Sequence, residues 1–283
     1  MSDTEFRSGF AAIVGRPNVG KSTLINALVG TKVSIVSDKP NTTRSQVRGI
    51  ITTASHQVIF VDTPGIHKPR SPLGARLNAA ATDAVEDVDV VIAVIDGSAK
   101  TGPGDLRVLE TSPQNCFVVV NKIDYLSPMR LLKRLAELAS FDKEGYFPVS
   151  ALTGEGVDVL LQATFSKMPL GPMYYPMEST SDTTDTEWIA ELVREGLLAI
   201  LRDELPHAMA TVVTEVEARY VRCEIFVERD SQKAIVLGHR GINLKTVGTE
   251  VRSHLPEGMY LDLVVKVVKD WQSQSRYLDE FGI

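Results

Sequence analysis

The stretch Gly15-Arg16-Pro17-Asn18-Val19-Gly20-Lys21-Ser22 constrains this chain more than any other. A glycine, four residues and then Gly-Lys-Ser is a spacing that builds a cradle for phosphate from backbone N–H groups. Gly15 and Gly20 tolerate the backbone angles that turn successive N–H groups toward an anion. Lys21 can reach β- and γ-phosphates, and the Ser22 hydroxyl can serve Mg²⁺. The flanks agree: residues 10–14 read as a buried strand, and 22–29 as a helix closed by Gly30. The expected nucleotide contacts are therefore Gly15, Arg16, Pro17, Asn18, Val19, Gly20, Lys21, Ser22 and Thr23.

Downstream to about residue 169, apolar runs at 58–61, 88–95, 116–120 and 146–149 alternate with helical stretches at 74–86, 105–111 and 128–140. Buried strands separated by helices imply an α/β fold with a mainly parallel sheet covered on both faces. In such sheets ligands bind at the carboxyl ends of the strands. A chain of 283 residues, 43% hydrophobic and 23% charged, has room for two soluble domains. Its net charge of −6 does not mark it as a bulk nucleic-acid binder. Cys116 and Cys223 sit singly in apolar runs of different domains, so a reducing, cytoplasmic setting is expected and a disulfide is not. No apolar run approaches the length of a membrane span.

The strand ends carry the remaining chemistry. The loop 39–44 offers Thr42 and Thr43, of which Thr43 is the better candidate to complete a metal shell. In Asp62-Thr63-Pro64-Gly65 the aspartate can hold Mg²⁺ through its water shell, and the Gly65 N–H can meet a γ-phosphate. The carboxylate of Asp124, in Asn121-Lys122-Ile123-Asp124, matches the paired N–H donors of guanine, a pair that adenine lacks. Asn121 would brace neighbouring loops, and the Lys122 stem can cover the flat base. Ser150-Ala151-Leu152 then supplies a small-residue loop whose backbone N–H can meet the guanine carbonyl. The candidate catalytic set is Lys21, Thr43 and Gly65, and the candidate metal set is Ser22, Thr43 and Asp62. These four signals, in this order and each at a strand end, resemble the Ras-like GTPase domain of the translation-factor-related class over about 10–169.

Residues 171–186 are rich in Pro, Gly, Ser and Thr and read as a linker between a first domain at 1–170 and a second at 187–283. The second domain opens with a helix at 187–201, followed by strands at 210–216 and 221–227. Then come an apolar segment, Gly238-His239-Arg240-Gly241, a helix at 242–252 and a strand at 260–268. Gly-x-x-Gly in this setting resembles an α+β KH domain, in which the loop clamps a nucleotide backbone beside an apolar groove. The resemblance implies RNA contacts at Gly238, His239, Arg240, Gly241, Lys245, Lys269 and Trp271. Trp271 is either a base-stacking side chain or a packed one. Within 233–276 seven basic residues stand against four acidic, a local excess in an acidic chain.

One GTPase domain followed by one KH domain resembles the Era family of bacterial ribosome-assembly GTPases. Further matching stretches are Lys39 to Arg44, Tyr174-Tyr175-Pro176, 227–233 and Lys269-Asp270-Trp271. The resemblance implies a GTP/GDP switch using Mg²⁺ that binds the 3′ end of small-subunit ribosomal RNA and assists maturation of the small subunit. It also implies a monomer; contact with the inner face of the cell membrane is left open. Ile66 stands where Ras-like enzymes carry a water-orienting Gln, so slow turnover is expected. Asn18 resembles the asparagine with which related GTPases hold K⁺. Two alternatives stay open on sequence: a double-GTPase assembly factor with a KH-like end, and an RNA-binding protein whose nucleotide site turns over negligibly.

Overall fold

The computed structural model describes residues 5–39, 47–62, 88–202 and 205–281. The chain divides into two compact units, with the boundary falling between Asp182 and Thr183. No helix among the described residues is long and apolar enough to cross a membrane.

The first unit is a six-stranded sheet of β1 (Arg7–Gly15), β2 (Val47–Thr52), β3 (His56–Asp62), β4 (Val90–Asp96), β5 (Phe117–Asn121) and β6 (Gly145–Pro148). Its order is β2-β3-β1-β4-β5-β6. Every pairing is parallel except that of β2 with β3. β1 is central because Ala11 to Val14 are apolar on both faces, and all four are buried. Alternate side chains feed two cores. Ile13, Phe60 and Val119 pack with Leu24 and Leu28 of α1 (Lys21–Val29) and Leu160 of a helix at Val157–Lys167. Val14, Ile95 and Val118 pack on the other face with Leu109 of α2 (Pro103–Thr111) and Leu138 of α3 (Pro128–Leu138). The helix at Val157–Lys167 is α4. Because β1 pairs with β3 on one side and β4 on the other, the order reverses beside β1, and the crevice opens at its carboxyl end.

β2 was not among the apolar runs, since Val47-Arg48-Gly49 interrupts its pattern. Gly49 is required there: a Cβ would lie 2.8 Å from the Ile25 Cγ2 and 2.9 Å from that of Val29. The linker expected over 171–186 is tied to this unit as far as Asp182. Gln57, fully buried, accepts through Oε1 from the N–H groups of Tyr174 and Tyr175 and donates through Nε2 to the Tyr175 carbonyl. The Ile50 N–H donates to the Thr180 carbonyl at 2.8 Å, and Arg48 pairs with Asp182 at 3.1 Å. Composition signals an irregular segment here, but tertiary hydrogen bonds make it a strap.

The second unit packs a three-stranded sheet, β7 (Met209–Glu217), β8 (Tyr220–Val227) and β9 (Tyr260–Val267), with β7 antiparallel and β9 parallel to β8. Helices α5 (Asp185–Ile200), α6 (Asp230–Leu237) and α7 (Ile242–Arg252) belong to it, with a short α8 (Ser275–Glu280). α5 starts where Thr184 accepts from the Glu187 N–H and Glu187 reaches back to the Thr184 N–H, a reciprocal cap. The apolar segment before the glycine loop is the second half of α6, whose start is held by Gln232 accepting from Glu228 and Arg229 N–H groups. Both cysteines are buried thiols. Burial pushes the Cys223 thiol up to about 12.

Candidate functional site

The phosphate loop leaves β1 at Gly15 and enters α1 at Lys21. Asn18 (φ 64) and Gly20 (φ 95) are left-handed, which turns the intervening N–H groups inward. A side chain at Gly20 is excluded twice over, because a Cβ there would also lie 2.3 Å from the Asn121 amide nitrogen. The Lys21 ammonium folds back over the loop and donates to the carbonyls of Gly15 (3.1 Å) and Arg16 (3.2 Å). A lysine has three donors, so one is left for an anion. Burial lowers its pKa to about 8, against the opposing pull of Asp62.

Asp62, fully buried at the end of β3, accepts from the Ser22 hydroxyl at 2.9 Å and the Ser34 hydroxyl at 3.0 Å, both on Oδ2. One carboxylate and a hydroxyl in contact form an all-oxygen donor set, which fits Mg²⁺ sharing its shell with water and phosphate. Ser34 was not apparent from sequence. Its place is set by Asn26 of α1, which accepts from the N–H groups of Val33 and Ser34 and donates to the Ser34 carbonyl. Thr43, Thr63, Pro64, Gly65 and Ile66 lie outside the described residues, as does the stretch expected to be helical at 74–86.

The elements expected to read the base converge on Asn121. Its Nδ2 donates to the Val19 carbonyl at 2.9 Å, and its Oδ1 accepts from the Ala151 N–H at 3.0 Å. The exposed Asp124, in a single turn after β5, is oriented by the buried Ser150, whose hydroxyl donates to its Oδ1 at 2.7 Å. Leu152 is exposed beside them. The Lys122 ammonium bridges the Asn18 carbonyl (2.8 Å) and the Asp96 carboxylate (2.6 Å). Burial acts to raise the Asp96 pKa, but hydrogen bonds from Lys122 and Ser98 outweigh it and hold the carboxyl below its usual range. Arg16 leans away from the loop to pair with the buried Asp105 of α2 at 2.6 Å. Asp96 and Asp105 were missed from sequence. The available signal was that Asp96 ends a parallel strand, on the edge where ligands bind.

In the second unit, Gly238 (φ 70), Arg240 (φ 52) and Gly241 (φ 76) give the loop three positive φ values in four residues. His239, Arg240 and Lys245 are exposed around it, and so is Lys269 after β9. Ile235 of α6 and Ile242 of α7 flank the loop with exposed apolar surface. Trp271 differs from the base-stacking expectation. It is fully buried, its Nε1 donates to the Ala208 carbonyl, and its ring packs edge-on against Phe281. It offers no face to a base and is a packed side chain.

A description of 50S ribosome-binding GTPases matches residues 10–122, and one of KH domains matches residues 204–272. The GTPase Era of Mycolicibacterium paratuberculosis is 44% identical to this chain, with 99% of each chain covered. The chain belongs to the Era family of GTPases. The GTPase Era of Mycobacterium tuberculosis is 43% identical, again over 99% of both chains. A crystal structure of Era in complex with MgGDPNP and nucleotides 1506–1542 of 16S ribosomal RNA superposes with a TM-score of 0.93 at 34% identity, covering 98% of this chain and 99% of that one. The structure of an Aquifex aeolicus Era variant bound to GDP·AlF4⁻ gives the same values. Era-family membership thus accounts for both units, a Ras-like GTPase domain and a KH domain, and leaves no support for the double-GTPase alternative.

Proposed function

We propose that this GTPase uses its nucleotide state to govern how the KH unit holds the 3′ end of small-subunit ribosomal RNA, and so assists maturation of the small subunit. The observation that carries the reading is the Asn121 carboxamide, which joins the phosphate loop to the loop beside Asp124 in one hydrogen-bonded frame. That frame fits guanine and phosphates together, and the 16S RNA complex of the Era relative supplies the RNA class. The KH contacts assigned are Gly238, His239, Arg240, Gly241, Lys245 and Lys269. A monomeric, cytoplasmic protein is part of the proposal.

The reaction is GTP + H₂O → GDP + phosphate. Water forms a bond to the γ-phosphorus in line with the breaking bond to the bridging oxygen, whose charge the β-phosphate takes up. Lys21 and the N–H groups of the loop face the negative charge on the phosphates. Ser22 and Asp62 would hold Mg²⁺, with Thr43 added in the GTP state; the ion, when bound, neutralises charge on β- and γ-oxygens. Asp124 takes the paired guanine N–H donors, Lys122 covers the base, and an N–H of the Ala151–Leu152 turn meets the carbonyl. The Ile66 side chain can neither donate nor accept, so unstimulated turnover is slow. Asn18, with its left-handed backbone, is assigned to K⁺; equal hydrolysis rates in K⁺ and Na⁺ would remove that assignment.

The test is multiple-turnover GTP hydrolysis with and without 16S nucleotides 1506–1542, beside RNA affinity in the GDP and GDPNP states. Turnover together with nucleotide-dependent RNA affinity is expected. RNA binding with no turnover would instead make the site a ligand-gated holder.

A further inference from the structure

We propose a second RNA contact on the GTPase unit: a basic cleft between α3 and the loop after β4 that takes the phosphodiester backbone. The inference rests on the RNA-binding reading above. A cavity of about 500 Å³ lies between residues 97–101 and α3, with Leu126 in its wall. Lys100, Arg130, Lys133 and Arg134 line it against the single acid Glu137. α3 divides its surface between core and cleft. Leu131, Leu135 and Leu138 enter the core, and Arg130, Lys133, Arg134 and Glu137 recur at helical spacing on the cleft side.

Those cations divide into two kinds. Arg134 is structural: it donates to the Thr101 hydroxyl at 2.7 Å and to the Ala99 carbonyl, and it pairs with Glu137 at 3.2 Å. It thereby fixes the loop wall and neutralises the one acid. Among the described residues Lys100, Arg130 and Lys133 make no ion pair, and all three are exposed. Three uncompensated cations around a shaped cavity, in a chain of net charge −6, call for a polyanion.

The spread of the cations indicates which polyanion. Lys100 on the loop and Arg130 and Lys133 on successive turns of α3 suit successive phosphates of one strand better than a single phosphate ion. Tyr125, adjacent in sequence to Leu126 of the cleft wall, is 67% exposed, and an exposed aromatic ring next to a cationic track is a means of holding single-stranded nucleic acid.

The experiment compares the full chain with the triple variant Lys100→Ala/Arg130→Ala/Lys133→Ala and with the loop variant Arg240→Glu. The probes are deproteinised full-length 16S ribosomal RNA and intact small subunits, titrated across a salt series. GDP affinity and thermal unfolding, expected unchanged for the triple variant, control for folding. The triple variant should bind 16S RNA about tenfold more weakly, with the slope of log K against log salt reduced by about 2 to 3 units, as loss of three phosphate contacts requires. Unchanged affinity and slope in the triple variant, with binding lost in Arg240→Glu, overturns the cleft and leaves the KH reading standing. If Arg240→Glu and the triple variant both bind RNA as the parent does, neither the cleft nor the KH loop carries the binding and the cleft is overturned; if the parent itself does not bind the RNA, the RNA reading fails. Weakened binding to subunits but not to naked RNA assigns the cleft to a ribosomal protein and overturns it as an RNA site.

Discussion

The Asn121 carboxamide donates to the Val19 carbonyl at 2.9 Å, fastening the end of β5 to the loop between β1 and α1. Both Asn121→Ala and Asn121→Asp break this bond, but they differ at the other end. The alanine variant also abandons the Ala151 N–H, whereas the aspartate keeps an acceptor for it. A buried polar group left unsatisfied costs about 1–3 kcal/mol. Asn121→Ala should therefore lower GDP affinity by one to two orders of magnitude and destabilise the nucleotide-free protein, measured by titration and by chemical unfolding. Wild-type GDP affinity in Asn121→Ala would contradict the bracing role.

Asp124 is aimed by Ser150, and in the proposed function its two oxygens select the base. In Asp124→Asn one acceptor becomes a donor, which suits the 2-carbonyl of xanthine and opposes the guanine amine. GTP affinity should fall at least tenfold while xanthosine triphosphate gains, both read by competition against a fluorescent nucleotide. Ser150→Ala should weaken GTP more mildly without changing which base is preferred. Unaltered guanine preference in Asp124→Asn would sink the assignment.

Lys21 is expected to make nucleotide binding pH-dependent. Its pKa is about 8 in the folded chain against an ordinary value of 10.5. Between those values the unfolded state holds the extra proton, so this group's contribution to stability improves as pH rises from about 8 to 10.5. Below pH 8 the cost of burying the charged ammonium is present in full. A bound phosphate favours the charged form, so GDP binding should take up about half a proton at pH 8 and more at pH 9. Calorimetry in two buffers of different ionisation enthalpy reads this uptake directly, and Lys21→Met should abolish it.

The two glycines of the KH loop are not equivalent. At Gly238, with φ 70 and ψ 175, a Cβ would lie 2.6 Å from the Asn243 Cγ, and Asn243 is held by the Ile235 carbonyl. At Gly241, with φ 76, the same atom would meet open space. Gly241→Ala should cost about 1–2 kcal/mol, the left-handed penalty alone. Gly238→Ala should cost more, because it adds displacement of Asn243 to a backbone region that is nearly reserved for glycine. Equal denaturation midpoints would refute the distinction.

Residues that the proposed chemistry requires to be of one type stand out in the sequence: the loop 15–22, Asp62, Asn121 and Asp124. Their strand-end positions follow from alternating apolar runs. What escaped depends on contacts between distant stretches. Asp96 looks like any strand-ending acid until Lys122 is brought beside it. Trp271 next to Lys269 looks exposed until Phe281 and Ala208 close over it. Residues 172–182 carry a linker's composition, and it takes partners more than a hundred residues earlier, Gln57, Ile50 and Arg48, to reveal that they are fixed.

That strap also protects the sheet. β2 is an edge strand, and an edge strand's unpaired N–H and C=O groups invite pairing with another chain. Ser181 bridges Gly49, and the Thr180 carbonyl takes the Ile50 N–H, so the strap occupies the edge that a second molecule would otherwise extend. A fragment cut at residue 170, where composition suggests the domain ends, should aggregate. One that continues to Asp182 should remain dispersed.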